Sequence, residues 1–156
     1  MKKMMLCVAL IAIISFTGLL PFDGTDVGKL YPVEVLIVTT TPGMITIETA
    51  DGLYGTGDTV ASAIENLKST SSGIVFMDTA NYLLLNNDNE ELLDSLYAYV
   101  RPACQVFRFD GSGEWKGVAK YLESHSSSVT VLSYRQGKKN LPRLMLSGEG
   151  FKIDWS

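Results

Sequence analysis

The 156-residue chain has room for one domain and too little for two, and with 46% apolar residues it can bury a real core. Its net charge is -4, and the acid-free first 20 residues hold Lys2 and Lys3, so the remainder stands at -6. That balance excludes the basic face of a nucleic-acid-binding domain.

The chain opens MKKMMLCVALIAIISFTGLL, two lysines and then an uninterrupted apolar run. This pattern predicts an export signal or a membrane anchor over residues 1–20. The run from Met4 to Leu20 is 17 residues, at the lower limit for a spanning helix of about 17. No A-x-A cleavage site follows, which tips the reading toward an uncleaved anchor. Lysines before the run favour a cytoplasmic N-terminus, which places everything after about residue 25 on the outer side. Cys7 lies inside the run, whereas a lipidated cysteine would follow it, so the anchor is not lipid. The only other cysteine is Cys104, and no disulfide framework is expected.

Residues 21–30 read as a linker, polar and glycine-containing in PFDGTDVGK, and residues 31–156 as one extracytoplasmic domain. YPVEVLIVTT and GMITIETA are rich in β-branched residues and flank Thr41 and Pro42, which predicts a hairpin. Val33, Val35 and Ile37 would share one face and Leu36 and Val38 the other, a strand buried on both sides. Leu53–Gly57 would add a short third strand.

The stretch YGTGDTVASAIENL follows. Val60, Ala63, Ile64 and Leu67 recur at helical spacing, with Asp58 or Thr59 as the N-cap. Its glycines and the helix N-terminus also suit an anion, in a kinase-like scheme with Asp58 as base. Asp58 would itself repel that anion, and no second nucleotide motif is present.

IVFM predicts a strand that could continue to YLLL. NDNEELLDSLYAYV predicts a helix capped at Asn87 or Asp88, with Leu92, Leu93, Leu96 and Val100 on one face. QVFRFD, residues 105–110, alternates as a strand. A third helix is expected from near Ser112, through Trp115, Val118, Ala119 and Leu122. SVTVLSYRQ fits either a strand or a short helix, and LPRLMLS with FKIDWS closes the chain as a hairpin. The expected class is α/β (α+β): an N-terminal signal or anchor helix, then one mixed-sheet domain with β-hairpin ends and about three helices.

Chemistry-bearing residues are sparse. His125 is the one histidine and sits at a helix end, where a surface or capping role competes with catalysis. No HExxH, CxxC or EF-hand spacing occurs, and the run Asn86–Glu91 is better explained by helix capping than by metal. Arg135, Lys138, Lys139 and Arg143 form a basic cluster able to meet lipid headgroups, unless they are simply solvated. Tyr97 and Tyr99 beside Trp115 suit core packing or an aromatic contact patch.

The segment order resembles the N-terminal domain of the spore germination receptor C-subunit, or Ger(x)C, family. The resemblance is carried by a hairpin followed by G-x-T-x-x-x-A-I-x-N-L, matched at Gly57, Thr59, Ala63, Ile64, Asn66 and Leu67. Segments similar to IVFMDTANYLLLN, NEELLDSLYAYV and QVFRFDGSGEWKGVAKYL come next, then LPRL, covering residues 31 to about 145. The chain departs from that pattern in lacking a lipobox cysteine, in carrying Asp78 where the family often has histidine, and in ending where further domains would begin. The resemblance implies a non-enzymatic part of a membrane receptor complex, with membrane-protein partners, no cofactor and an unidentified ligand. The rival expectation is an exported hydrolase or nucleotide- or anion-binding enzyme using Asp58 or His125.

Overall fold

The structure, a computed structural model, describes residues 29–86, 90–111, 114–138, 140–147 and 150–155. The expected leader and the proposed caps Asn87 and Asp88 lie outside the described residues.

Nine strands and four α-helices follow one another: β1 (Leu30–Pro32), β2 (Val35–Thr41), β3 (Met44–Thr49), β4 (Tyr54–Gly57), α1 (Val60–Thr70), β5 (Ile74–Phe76), β6 (Tyr82–Leu85), α2 (Glu90–Leu96), β7 (Gln105–Asp110), α3 (Val118–Glu123), α4 (Val131–Arg135), β8 (Arg143–Ser147) and β9 (Gly150–Asp154). Seven strands make one mixed sheet in the order β4-β3-β2-β6-β7-β8-β9. Its centre, β2-β6-β7-β8, is parallel, and antiparallel pairs flank it on both sides. Parallel neighbours need crossovers that cover the faces with helices. Two of the central strands accordingly read as apolar runs: Val35–Val38 of β2 and all four residues of β6 are buried.

Two cores result, one per face. Leu36, Val38, Leu83, Leu85 and Val106 meet α1, α2 and α4 on one side. Val35, Ile37, Leu84, Phe107 and Leu144 meet Trp115 and α3 on the other. Val33 corrects the expected alternation, because it packs with Leu36 and Val38 and not with Val35 and Ile37. The cause is a break in the strand. β1 pairs in parallel with β5 as a separate two-stranded sheet, and the Val33 N–H donates to the Phe76 carbonyl at 3.1 Å. Likewise β5 and β6 are not one strand, since a 3₁₀ turn at Met77–Thr79 divides them.

Further boundaries moved for local reasons. The third helix begins at Val118 after Gly117, whose φ of 83° ends any helical run through Trp115. The ambiguous SVTVLSYRQ is both things in turn. Thr130 bridges Gln105 as a strand would, then caps α4 with its side chain accepting from the Ser133 amide. Among the described residues this gives four α-helices, in line with the expected mixed α+β class of about three helices, the fourth being the segment left open between strand and helix.

Candidate functional site

The glycine loop was the first candidate. A Cβ at Gly55 would lie 2.3 Å from the Ala63 carbonyl oxygen and 2.3 Å from the Leu67 nitrogen; at Gly57 it would lie 2.2 Å from Ser62 Oγ. Neither φ is positive, so these residues are glycine because the α1 backbone lies directly on β4. The polar groups of the loop are likewise consumed locally. Thr59, not Asp58, is the N-cap, forming a reciprocal capping box with Ser62. Asp58 accepts from Ser62 Oγ at 2.8 Å, and Asn66 Oδ1 accepts the Thr56 amide at 3.1 Å. Ala63, Ile64 and Leu67 are buried against the sheet. The six residues of the motif thus make a strand-to-helix seam.

In open α/β sheets ligands usually sit outside the carboxyl ends of parallel strands. Here that end is tied shut between β2 and β6. Asn86 accepts the Thr40 amide at 2.9 Å and donates its own amide to the Thr40 carbonyl at 3.1 Å. Sequence reasoning had assigned Asn86 to a capping run and missed this clamp; a polar residue immediately after four apolar ones was the available signal. Between β7 and β8, Arg143 Nε meets Asp110 Oδ2 at 2.6 Å.

His125 does not join Asp58. It follows α3 on one face, whereas Asp58 precedes α1 on the other. Its ring stacks on Tyr121 at 4.2 Å, and Nδ1 lies 2.8 Å from the Tyr121 carbonyl, an oxygen that only accepts, so Nδ1 carries the proton. Cys104 is fully buried, and burial pushes its thiol up to about 12 against a smaller opposing pull from Arg101. A thiol held protonated is no nucleophile near neutral pH. Among the described residues no group of three His, Cys, Asp or Glu is placed to hold a metal ion.

Each described member of the basic cluster has its own partner, Arg143 being held by Asp110. Arg135 pairs with Asp94 at 2.9 Å and lies over the Tyr97 ring; Lys138 donates to the Ser128 carbonyl and hydroxyl at 3.1 and 2.8 Å; Lys139 lies outside the described residues. Tyr97 and Tyr99 pack on the core face opposite Trp115, so the expected grouping of the three does not form.

Surface depressions among the described residues offer further candidates. One, of ≈ 460 Å³, lies beside the start of β8 and is lined by Ser127, Ser128, Lys138, Asn140, Pro142 and Trp155. Trp155 is 58% exposed. A second, of ≈ 310 Å³, follows the free side of β5, between Phe76, Lys68 and Tyr99. A third, of ≈ 460 Å³, lies among Glu48, Asp51, Glu114 and Lys116. The first combines an exposed indole with an ammonium, an amide and hydroxyls, groups that stack and hydrogen-bond. In comparison with known proteins, no family model, no curated protein and no solved structure matches the chain.

Proposed function

We propose that this protein is a membrane-tethered extracytoplasmic α/β domain that works by binding a membrane protein, without a cofactor, in a spore-germination-receptor-like complex. The tether is the sequence pattern of residues 1–20, which the described residues do not reach; among those described, no helix is long and apolar enough to cross a membrane. The germination context rests on the resemblance in segment order.

The observation that carries the binding reading is the exposed Trp155 beside Lys138 and Asn140 in the groove at the start of β8. Tryptophan supplies a disproportionate share of energy at protein contacts, because one rigid ring removes much apolar area from water while its N–H finds a partner. Asp58 and His125, the residues of the rival enzyme reading, serve a helix start and a ring stack on opposite faces.

Gentle detergent extraction of the full chain tests the proposal. A membrane protein should co-purify, and Trp155→Ala should weaken that association by about 2 kcal/mol or more, a loss of roughly 30-fold. Recovery only as a monomer with nothing attached would overturn it. Intact mass of the same preparation reports whether residues 1–20 are retained.

A further inference from the structure

Among the described residues the β1–β5 pair carries the largest group of exposed apolar side chains. Tyr31, Ile74 and Phe76 lie on the β1–β5 pair, Leu132 and Trp155 near the starts of β7 and β8, Tyr54 at the first residue of β4, and Met44 at the opposite end, at the first residue of β3 paired with Thr41. Trp155 follows Asp154, the partner of the first residue of β8, and the Leu132 amide donates to the Pro102 carbonyl just before β7. The β1–β5 pair also precedes the main sheet, with the Asn81 and Tyr82 amides both donating to Glu34 where β1 passes into β2.

The two-stranded sheet is the densest part of this exposure. Register pairs Leu30 with Ile74 and Pro32 with Phe76, and paired residues of neighbouring strands share a face. Ile74 and Phe76 are 48% and 42% exposed, while Val75 between them is buried. Alternation has therefore placed two large apolar side chains of β5 outward, while on the other face Val75 is buried beside an exposed Tyr31 whose hydroxyl meets Ser72 Oγ.

β5 carries this patch and is paired with β1, the first described strand after the apolar leader. Nine residues, 21–29, can span at most about 30 Å. Any bilayer holding the leader therefore lies within reach of β1. We propose that the outer face of β1–β5, through Ile74 and Phe76, seats in the interfacial zone of the lipid bilayer at the foot of the N-terminal segment; the inference rests on the tethered reading above. The adjoining groove sets the Lys68 ammonium and the Asp78 carboxylate at its rim and the Tyr99 ring at its wall, a polar-aromatic edge of the kind that meets a zwitterionic headgroup zone. An added β-strand is the weaker occupant, because Pro32 has no N–H to offer along β1.

The test uses the full chain with Cys7→Ser, reconstituted into vesicles of phosphatidylcholine and phosphatidylglycerol, and an environment-sensitive dye on Phe76→Cys or, as reference, Met44→Cys. Cys104, buried, does not compete for the dye. Spin-labelled lipid should quench the dye at 76 about threefold, as expected of a ring at headgroup level, and leave the dye at 44 as bright as in water. Equal water exposure at both positions, in a chain that floats with the vesicles, overturns the docking and leaves the tether intact. A dye at 76 that is shielded but not quenched by lipid means that a second copy or a partner covers the face, which also overturns it. A chain that does not float removes the tether and the docking together.

Discussion

Gly55 and Gly57 show how one residue type can suggest two unrelated chemistries. A glycine pair before a helix could be a cradle of amides for phosphate, or it could be missing side chains where two backbones touch. The clearances decide for contact, since a methyl group at Gly55 would overlap α1 main chain on two sides. Gly55→Ala should accordingly destabilise the domain by about 1–3 kcal/mol, the usual cost of overpacking. Asp58→Asn should cost far less, because Thr59 and Ser62 hold the cap by themselves. Denaturant midpoints for the two variants check the contrast, and equal midpoints would contradict it. Cys104 makes a second residue-scale prediction. Its thiol ordinarily ionises at 9.0 and in the fold at about 12. Between those values the unfolded chain binds fewer protons than the folded one, so stability falls as pH rises past 9. Cys104→Ala should remove that part of the slope, seen by comparing unfolding midpoints of parent and variant at neutral and alkaline pH. Unchanged slopes would mean that the thiol is not so protected.

The elements of the fold differ in how they are held. β1 and β5 have only each other across three residue pairs, whereas β2 and β6 have neighbours on both sides. Two-stranded sheets are marginal without a covering layer, and local opening follows contact density. Amide exchange at 30–33 and 74–76 should therefore run orders of magnitude faster than at 35–38 and 83–85, in detergent without lipid; comparable protection would count against a separately held pair. The same contrast explains what was legible beforehand. The β2–β3 hairpin, α1 and β7 were readable because turn residues and apolar spacing agreed over whole segments. The break at Val33–Glu34 was not readable, because it depends on an amide reaching Phe76, 43 positions away in sequence. Nor did periodicity expose the late start of α3, since Trp115 keeps its buried place without being helical. For the candidate site, sequence identified the residue types but not their partners. Arg135, Lys138 and Arg143 are adjacent in sequence, yet each is held by a different part of the fold.

At the scale of the molecule, the four parallel strands all point one way, so the domain has two unlike ends. The carboxyl end is tied by Asn86 to Thr40, and the Thr59 cap of α1 lies nearby with Asp58 accepting from Ser62. The amino end carries the exposed apolar side chains and the Trp155 groove. In a tethered domain both proposed contacts would then lie on the side nearest the bilayer, which suits a partner that is itself a membrane protein. The break that separates β1 from β2 has a mechanical side as well. Tension entering through residue 29 runs along β1, past Pro32, and into β2, a strand clamped between β3 and β6. Because β1 and β5 are parallel and in register, such a pull shears their hydrogen bonds together and does not peel them one at a time. In a tethered domain this two-stranded sheet would therefore meet force in its most resistant direction, a short coupling between the tether and the centre of the fold.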